Sequence, residues 1–126
     1  MIEPSSLFPL PRACGAEEGG MSMTIGLCRV WLRLPQSHSL KEKRQVVKSL
    51  SARLHNKFNV SVAEVDDHDR WQMASLGISC VTNSDRHAHQ VLSAVIAFIQ
   101  AERLDAELVD YRVEVVHALG GGPLDG

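Results

Sequence analysis

Two groups of side chains in this sequence have types and spacings suited to chemistry. The first is cationic. Residues 29–57 carry Arg29, Arg33, Lys41, Lys43, Arg44, Lys48, Arg53 and Lys57 against Glu42 alone, a net of +7, whereas residues 64–117 sum to −6. Lys41, Arg44 and Lys48 are three and four residues apart, so on a helix they share one flank, which His55 continues. A stripe of this kind binds phosphate backbones, largely by counterion release; it also suits a plain solvated helix face. Arg29, Trp31 and Arg33 alternate, which on a strand puts an aromatic between two cations, an arrangement able to stack a base and hold phosphates. The competing use of that face is a dimer contact built from Ile25, Leu27, Trp31 and Val81.

The second group is Asp66, Asp67, His68 and Asp69. Carboxylates and an imidazole are metal ligands, but four adjacent residues at a strand end point in different directions, and Asp is common in turns, where it accepts backbone hydrogen bonds. No metal is expected. His87 and His89 are two apart and diverge on a helix, so they cannot chelate together. There is no GxSxG, no Walker loop and no HExxH. His38 and Ser39 lack a third partner, and Ser39 is a helix cap. No catalytic residue and no cofactor are expected.

Positioning these groups requires regular elements, and the pattern supplies them. Residues 24–34 alternate, with Gly26, Cys28, Val30, Leu32 and Leu34 on one face and Ile25, Leu27, Arg29, Trp31 and Arg33 on the other; Pro35 ends the strand. Ser39 three residues before Glu42 has capping-box spacing and opens a helix over about 40–58, with Leu40, Val47, Leu50, Leu54 and Phe58 on one stripe. Lys43 falls among these apolar residues. It either snorkels at the helix start or pairs with the acidic cluster. Residues 60–66 form a second strand, and Trp71 is expected to anchor the return by packing. Residues 72–82 form a third strand, with Ala74, Leu76, Ile78 and Cys80 inward. Asn83 or Ser84 caps a helix over 85–103 with Ala88, Val91, Leu92, Val95, Ile96 and Ile99 on one face. The last strand, 107–117, alternates Val109, Tyr111, Val113 and Val115 against Asp110, Arg112 and Glu114.

The order β-α-β-β-α-β predicts a ferredoxin-like α+β plait, a four-stranded antiparallel sheet with both helices on one face. The same topology occurs in acylphosphatases, which need a glycine-rich loop with an arginine after the first strand. Here that loop is PQSHS, and it has neither. An RNA-recognition motif also needs aromatics on both central strands, and the third strand offers none.

The chain has 126 residues, 44% hydrophobic and 22% charged, which fits one globular domain. No apolar run approaches the ~18 residues that span a bilayer. Cys14, Cys28 and Cys80 form no CxxC pair, and an odd, scattered set suits a reduced, cytoplasmic setting. Residues 1–22 and 118–126 lack periodicity and read as disordered tails around a domain at 23–117. The N-terminal stretch has no basic segment to make it a signal peptide; Met21 or Met23 is an alternative translation start.

The blocks MTIGLCRVWLRLPQSHSLKEKRQVVKSL and NKFNVSVAEVDDHDRWQMASLGISCV closely resemble the bacterial YlxP-like family, over essentially all of 23–117. The resemblance implies a ferredoxin-like domain of unknown function. It also implies a link to translation, because the family's genes often lie among those for translation initiation and ribosome maturation factors. It brings no catalytic residues. The resulting expectation is a non-enzymatic RNA- or ribosome-associated protein, with Lys41, Arg44, Lys48, Arg29, Arg33 and Trp31 as nucleic-acid contacts. The alternative is a homodimeric interaction or ligand-sensing module that uses the open sheet face.

Overall fold

The computed structural model describes residues 23–102 and 106–120. The expected tail at 1–22, and residues 121–126 of the expected tail at 118–126, lie outside the described residues. The elements are β1 (Met23–Arg33), α1 (Leu40–Lys57), β2 (Ser61–Asp66), β3 (Met73–Thr82), α2 (Asp85–Ala101) and β4 (Glu107–Ala118). The sheet order is β2-β3-β1-β4, with every neighbouring pair antiparallel. Both crossovers place their helices on one face, and the fold is the ferredoxin-like plait.

The caps explain where the helices begin. The Ser39 hydroxyl accepts from the Glu42 amide at 3.1 Å, and the Glu42 carboxylate accepts from the His38 amide at 2.6 Å, a capping box displaced by one residue. Ser84, rather than Asn83, caps α2 by accepting from the His87 amide at 3.3 Å.

One core lies between sheet and helices. Cys28, Val30, Leu32 and Leu34 come from β1 and its end, and Ala74, Leu76, Ile78 and Cys80 from β3. They meet Leu50 and Leu54 of α1 and Ala88, Leu92, Val95, Ile96 and Ile99 of α2, all buried. Gly26 permits the close approach of α2: a Cβ there would lie 3.0 Å from Cys80 Sγ and from Leu92 Cδ1, and 3.2 Å from Ala88 Cβ. Burial pushes the Cys28 thiol up to about 11 and raises that of Cys80, so both stay neutral. Phe58 and Phe98 meet edge to face at 5.8 Å, closing the far end of the helix layer.

Two bulges modify the expected alternation. In β4 the register shifts opposite Trp31/Leu32, so Leu108 pairs with Leu32 and Val109 is left out, 55% exposed. Val109 therefore does not share the inward alternation expected of it, while Tyr111, Val113 and Val115 stay in register with Val30, Cys28 and Gly26. In β2 the shift falls between Glu64 and Asp66: Glu64 stays on the helix side opposite Leu76, and Asp66 is turned to the open face opposite Ser75. The last strand also runs to Ala118 rather than ending at 117.

Ile78, at the centre of β3 and 2% exposed, tests the inward assignment. Ile78→Ala is expected to lower unfolding free energy by about 2–5 kcal/mol, read from the chemical denaturation midpoint.

Candidate functional site

Among the described residues, Lys43 is the charged side chain that is fully buried. It lies one turn into α1, fully buried at 0% exposure. Its ammonium donates to the carbonyl of Asp67 at 2.6 Å and of Met73 at 3.1 Å, and lies 2.8 Å from Glu64 Oε2. Two carbonyl oxygens that accept hydrogen bonds and one carboxylate oxygen thus surround the ammonium, which lets a cation sit in an apolar layer. The Glu64 contact is an ion pair rather than an aligned hydrogen bond. Glu64 Oε2 is buried with no hydrogen-bond partner among the described residues, so Lys43 is what compensates it. Neither alternative left open by the sequence holds as stated: Lys43 pairs with Glu64, outside the acidic cluster, and takes from that cluster only the Asp67 backbone carbonyl, joining α1 to β2, to the hairpin and to β3.

The acidic run is accounted for residue by residue. Asp67 adopts a left-handed conformation with φ of 60°, which Asp tolerates, and this turns its carbonyl toward Lys43. Its amide donates to Asp66 Oδ1 at 2.8 Å. That bond, with the neighbouring Arg29 guanidinium adding to it, holds the Asp66 carboxyl below the usual carboxylate range. His68 Nε2 lies 3.1 Å from the Glu64 carbonyl. Trp71, expected to pack, is 50% exposed. The return is tied instead by Gln72, whose side-chain amide donates to the carbonyls of Pro35 and Ser37, and whose carbonyl accepts from the Leu34 amide.

The cations divide into two sets. Arg29 projects from the open face as expected, but it is engaged there. Its Nε donates to Ser75 Oγ at 2.9 Å, its Nη2 pairs with Asp66 at 3.2 Å, and its guanidinium stacks 4.8 Å from the Trp31 ring centroid. Arg33 makes two contacts to Glu107 Oε1, at 2.7 and 3.2 Å. Arg53 pairs with Glu102 at 2.6 Å, and Lys57 lies over the Phe98 ring at 5.9 Å. Lys41, Arg44 and Lys48 are exposed and, among the described residues, no acidic side chain pairs with any of them. They occupy one flank of α1, and Arg53 and Lys57 face α2 from the other. The six expected contact residues are therefore not brought together: three lie on the helix layer, and Arg29, Trp31 and Arg33 lie on the opposite face of the sheet.

The open face also carries a trough of about 800 Å3, lined in part by Leu27, Val65, Gly77, Ser79, Arg112 and Glu114. A Cβ on Gly77 would lie 3.0 Å from Val65 Cγ1, so the bulge residue Val65 lies over Gly77 on this face. No helix among the described residues is long and apolar enough to cross a membrane.

A ferredoxin-like plait with a lysine-stapled helix and a free cationic flank is the class of protein that this geometry defines. The chain belongs to the DUF503 family, described as a protein of unknown function, whose profile matches residues 25–113. It is similar to the uncharacterized protein YlxP of Bacillus subtilis (strain 168), at 46% identity over 77 residues, which cover 61% of this chain and 84% of that one. Among solved structures it is similar to the de novo designed protein Foldit4, with a TM-score of 0.42 at 11% identity over 79% of this chain and 99% of that chain. A second designed protein, Ferredog-Diesel, gives a TM-score of 0.37 at 12% identity, over 72% and 83%.

The Lys43 staple makes a direct prediction. Lys43→Met leaves Glu64 buried without compensation and two carbonyls unpaired, and is expected to cost about 3–5 kcal/mol. Lys43→Met combined with Glu64→Leu is expected to recover part of that loss. Urea denaturation of the two variants checks both.

Proposed function

We propose that this is a non-enzymatic RNA- or ribosome-associated protein of the cytoplasm, which meets RNA phosphates through Lys41, Arg44 and Lys48. One observation carries the reading. Of the eight cations between residues 29 and 57, Arg29, Arg33, Lys43, Arg53 and Lys57 are engaged within the chain, and the three left over share a single helix flank. The three span about 10 Å of helix axis. Like charges at this spacing repel one another mildly, a cost that a polyanion removes. The resemblance to a family whose genes accompany translation factors supports the same reading.

Phosphate contacts position a protein without specifying sequence. Changing Lys41, Arg44 and Lys48 together to Ala is therefore expected to weaken binding to different RNA sequences alike. The log–log salt slope should flatten by about 0.7–0.9 per lost phosphate contact. Stability should move by no more than about 0.5 kcal/mol per site. Ribosome cosedimentation and salt titration of RNA binding measure both; a folded triple variant that behaves as the wild type refutes the proposal.

The open face supports a second reading, a contact surface for another copy of the chain. Leu27 and Val81 are 38% and 65% exposed there, beside the trough. Leu27→Asp should then weaken self-association in sedimentation equilibrium, and an unchanged constant removes the open face from consideration.

A further inference from the structure

The two edges of the sheet differ. β2 is six residues long and interrupted by a bulge, both of which blunt an edge against further pairing. β4 is twelve residues long, contains neither Lys nor Pro, and has its bulge near its start, so 110–118 pairs without interruption with β1. No described element pairs with its outer side. On the helix side of this strand Tyr111 and Val113 are 45% and 38% exposed, although they are in register with the buried Val30 and Cys28. They are core-facing residues that α2 leaves uncovered.

The backbone has a polarity as well. The Tyr111 amide donates to Asp110 Oδ1 at 2.8 Å. That bond marks the odd-numbered residues of this stretch as those turning N–H and C=O away from β1, since an antiparallel strand alternates between its two neighbours. Tyr111, Val113 and Val115 then present donors and acceptors along the outer edge. On the open face the same stretch carries Asp110, Arg112 and Glu114 in alternation.

We propose that the outer edge of β4 pairs antiparallel with the same edge of a second copy, about a two-fold axis at Val113, joining two four-stranded sheets into one of eight. The charges select this register. With the axis at Arg112, arginine faces arginine and Asp110 faces Glu114; with the axis at Glu114, glutamate faces glutamate. Like charges directly opposite one another destabilise a sheet. With the axis at Val113, Arg112 of each copy faces Glu114 of the other, giving two reciprocal ion pairs. Val113 meets its own symmetry mate, and Tyr111 meets Val115, so the uncovered apolar residues cover one another. An axis at Tyr111 also satisfies Arg112, through Asp110, but it drives the Val109 bulge of each copy into the new ladder. The interface is isologous, as a two-fold dimer requires.

The test uses the full chain in sedimentation equilibrium across a concentration series. Wild type is expected to dimerise. Arg112→Glu places glutamate against glutamate at both reciprocal sites and is expected to weaken dimerisation about tenfold or more, and Glu114→Arg likewise. The swap R112E/E114R restores both pairs and is expected to return the constant to within about threefold of wild type. Under the Tyr111 axis the swap would not restore it, because the glutamate introduced by R112E would still face Asp110. Val113→Pro removes an outward amide at the axis and is expected to abolish the dimer, with circular dichroism reporting the fold; the charge swap decides the matter if that variant does not fold. A wild type monomeric throughout the series overturns the proposal. So does a swap that fails to restore dimerisation, or a dimer sensitive to Leu27→Asp and indifferent to the β4 changes. None of these outcomes bears on the α1 flank.

Discussion

A single ammonium group fixes how the layers of this molecule meet. Helices can slide and rotate on a sheet when only apolar side chains touch, because the hydrophobic effect is non-directional. Lys43 removes that freedom. It donates to the carbonyls of Asp67 in the return and Met73 on β3 and forms an ion pair with Glu64 on β2. A rotation of α1 would strand a charge in the core, with a desolvation cost that no other group there offsets. The helix is therefore keyed to the hairpin, and the flank bearing Lys41, Arg44 and Lys48 points outward as a consequence. A buried cation orients the exposed ones.

The same logic distributes charge over the rest of the surface. The basic first half and acidic second half of the chain do not form separate poles. Arg29 meets Asp66, Arg33 meets Glu107 and Arg53 meets Glu102, each bridging distant segments. These pairs are exposed or partly so, and pairs of that kind contribute little to stability individually. Their effect is to neutralise the open face and the seam between the helices, leaving uncompensated positive charge on one strip of α1.

Much of this fold is legible in the sequence because two periodicities are clear. The alternation from Gly26 to Leu34, that of β3, and the 3-4 spacing from Ala88 to Ile99 each state which side is inside. What escapes is whatever depends on pairing between distant segments. Lys43 stands out among apolar positions, yet two of its partners are backbone carbonyls, which have no side-chain signature. The engagement of Arg29 and Arg33 is hidden for a related reason. Asp66 faces Arg29 because a bulge after Glu64 turns it to the open face, and Glu107 reaches Arg33 across a register that shifts at Val109. A one-residue shift moves a side chain to the other face of a sheet, and neither bulge carries a glycine to announce it. Three of the six anticipated contacts are on the helix flank as read; the other three are where the pattern put them but are already bound within the chain.

The sheet order has a consequence for the timing of synthesis. β1 is made first and ends in the middle of the sheet, between β3 and β4. Arg33 meets Glu107 only 74 residues later, an interval of about 4–15 s at ~5–20 residues per second. β1, α1, β2 and β3 can associate before then and bury the lysine. For those seconds one side of β1 is open along its whole length, with Cys28, Val30 and Leu32 only half covered. The growing chain thus passes through a stage with a more apolar edge than the finished protein shows in β4, and that stage ends only when β4 is laid down.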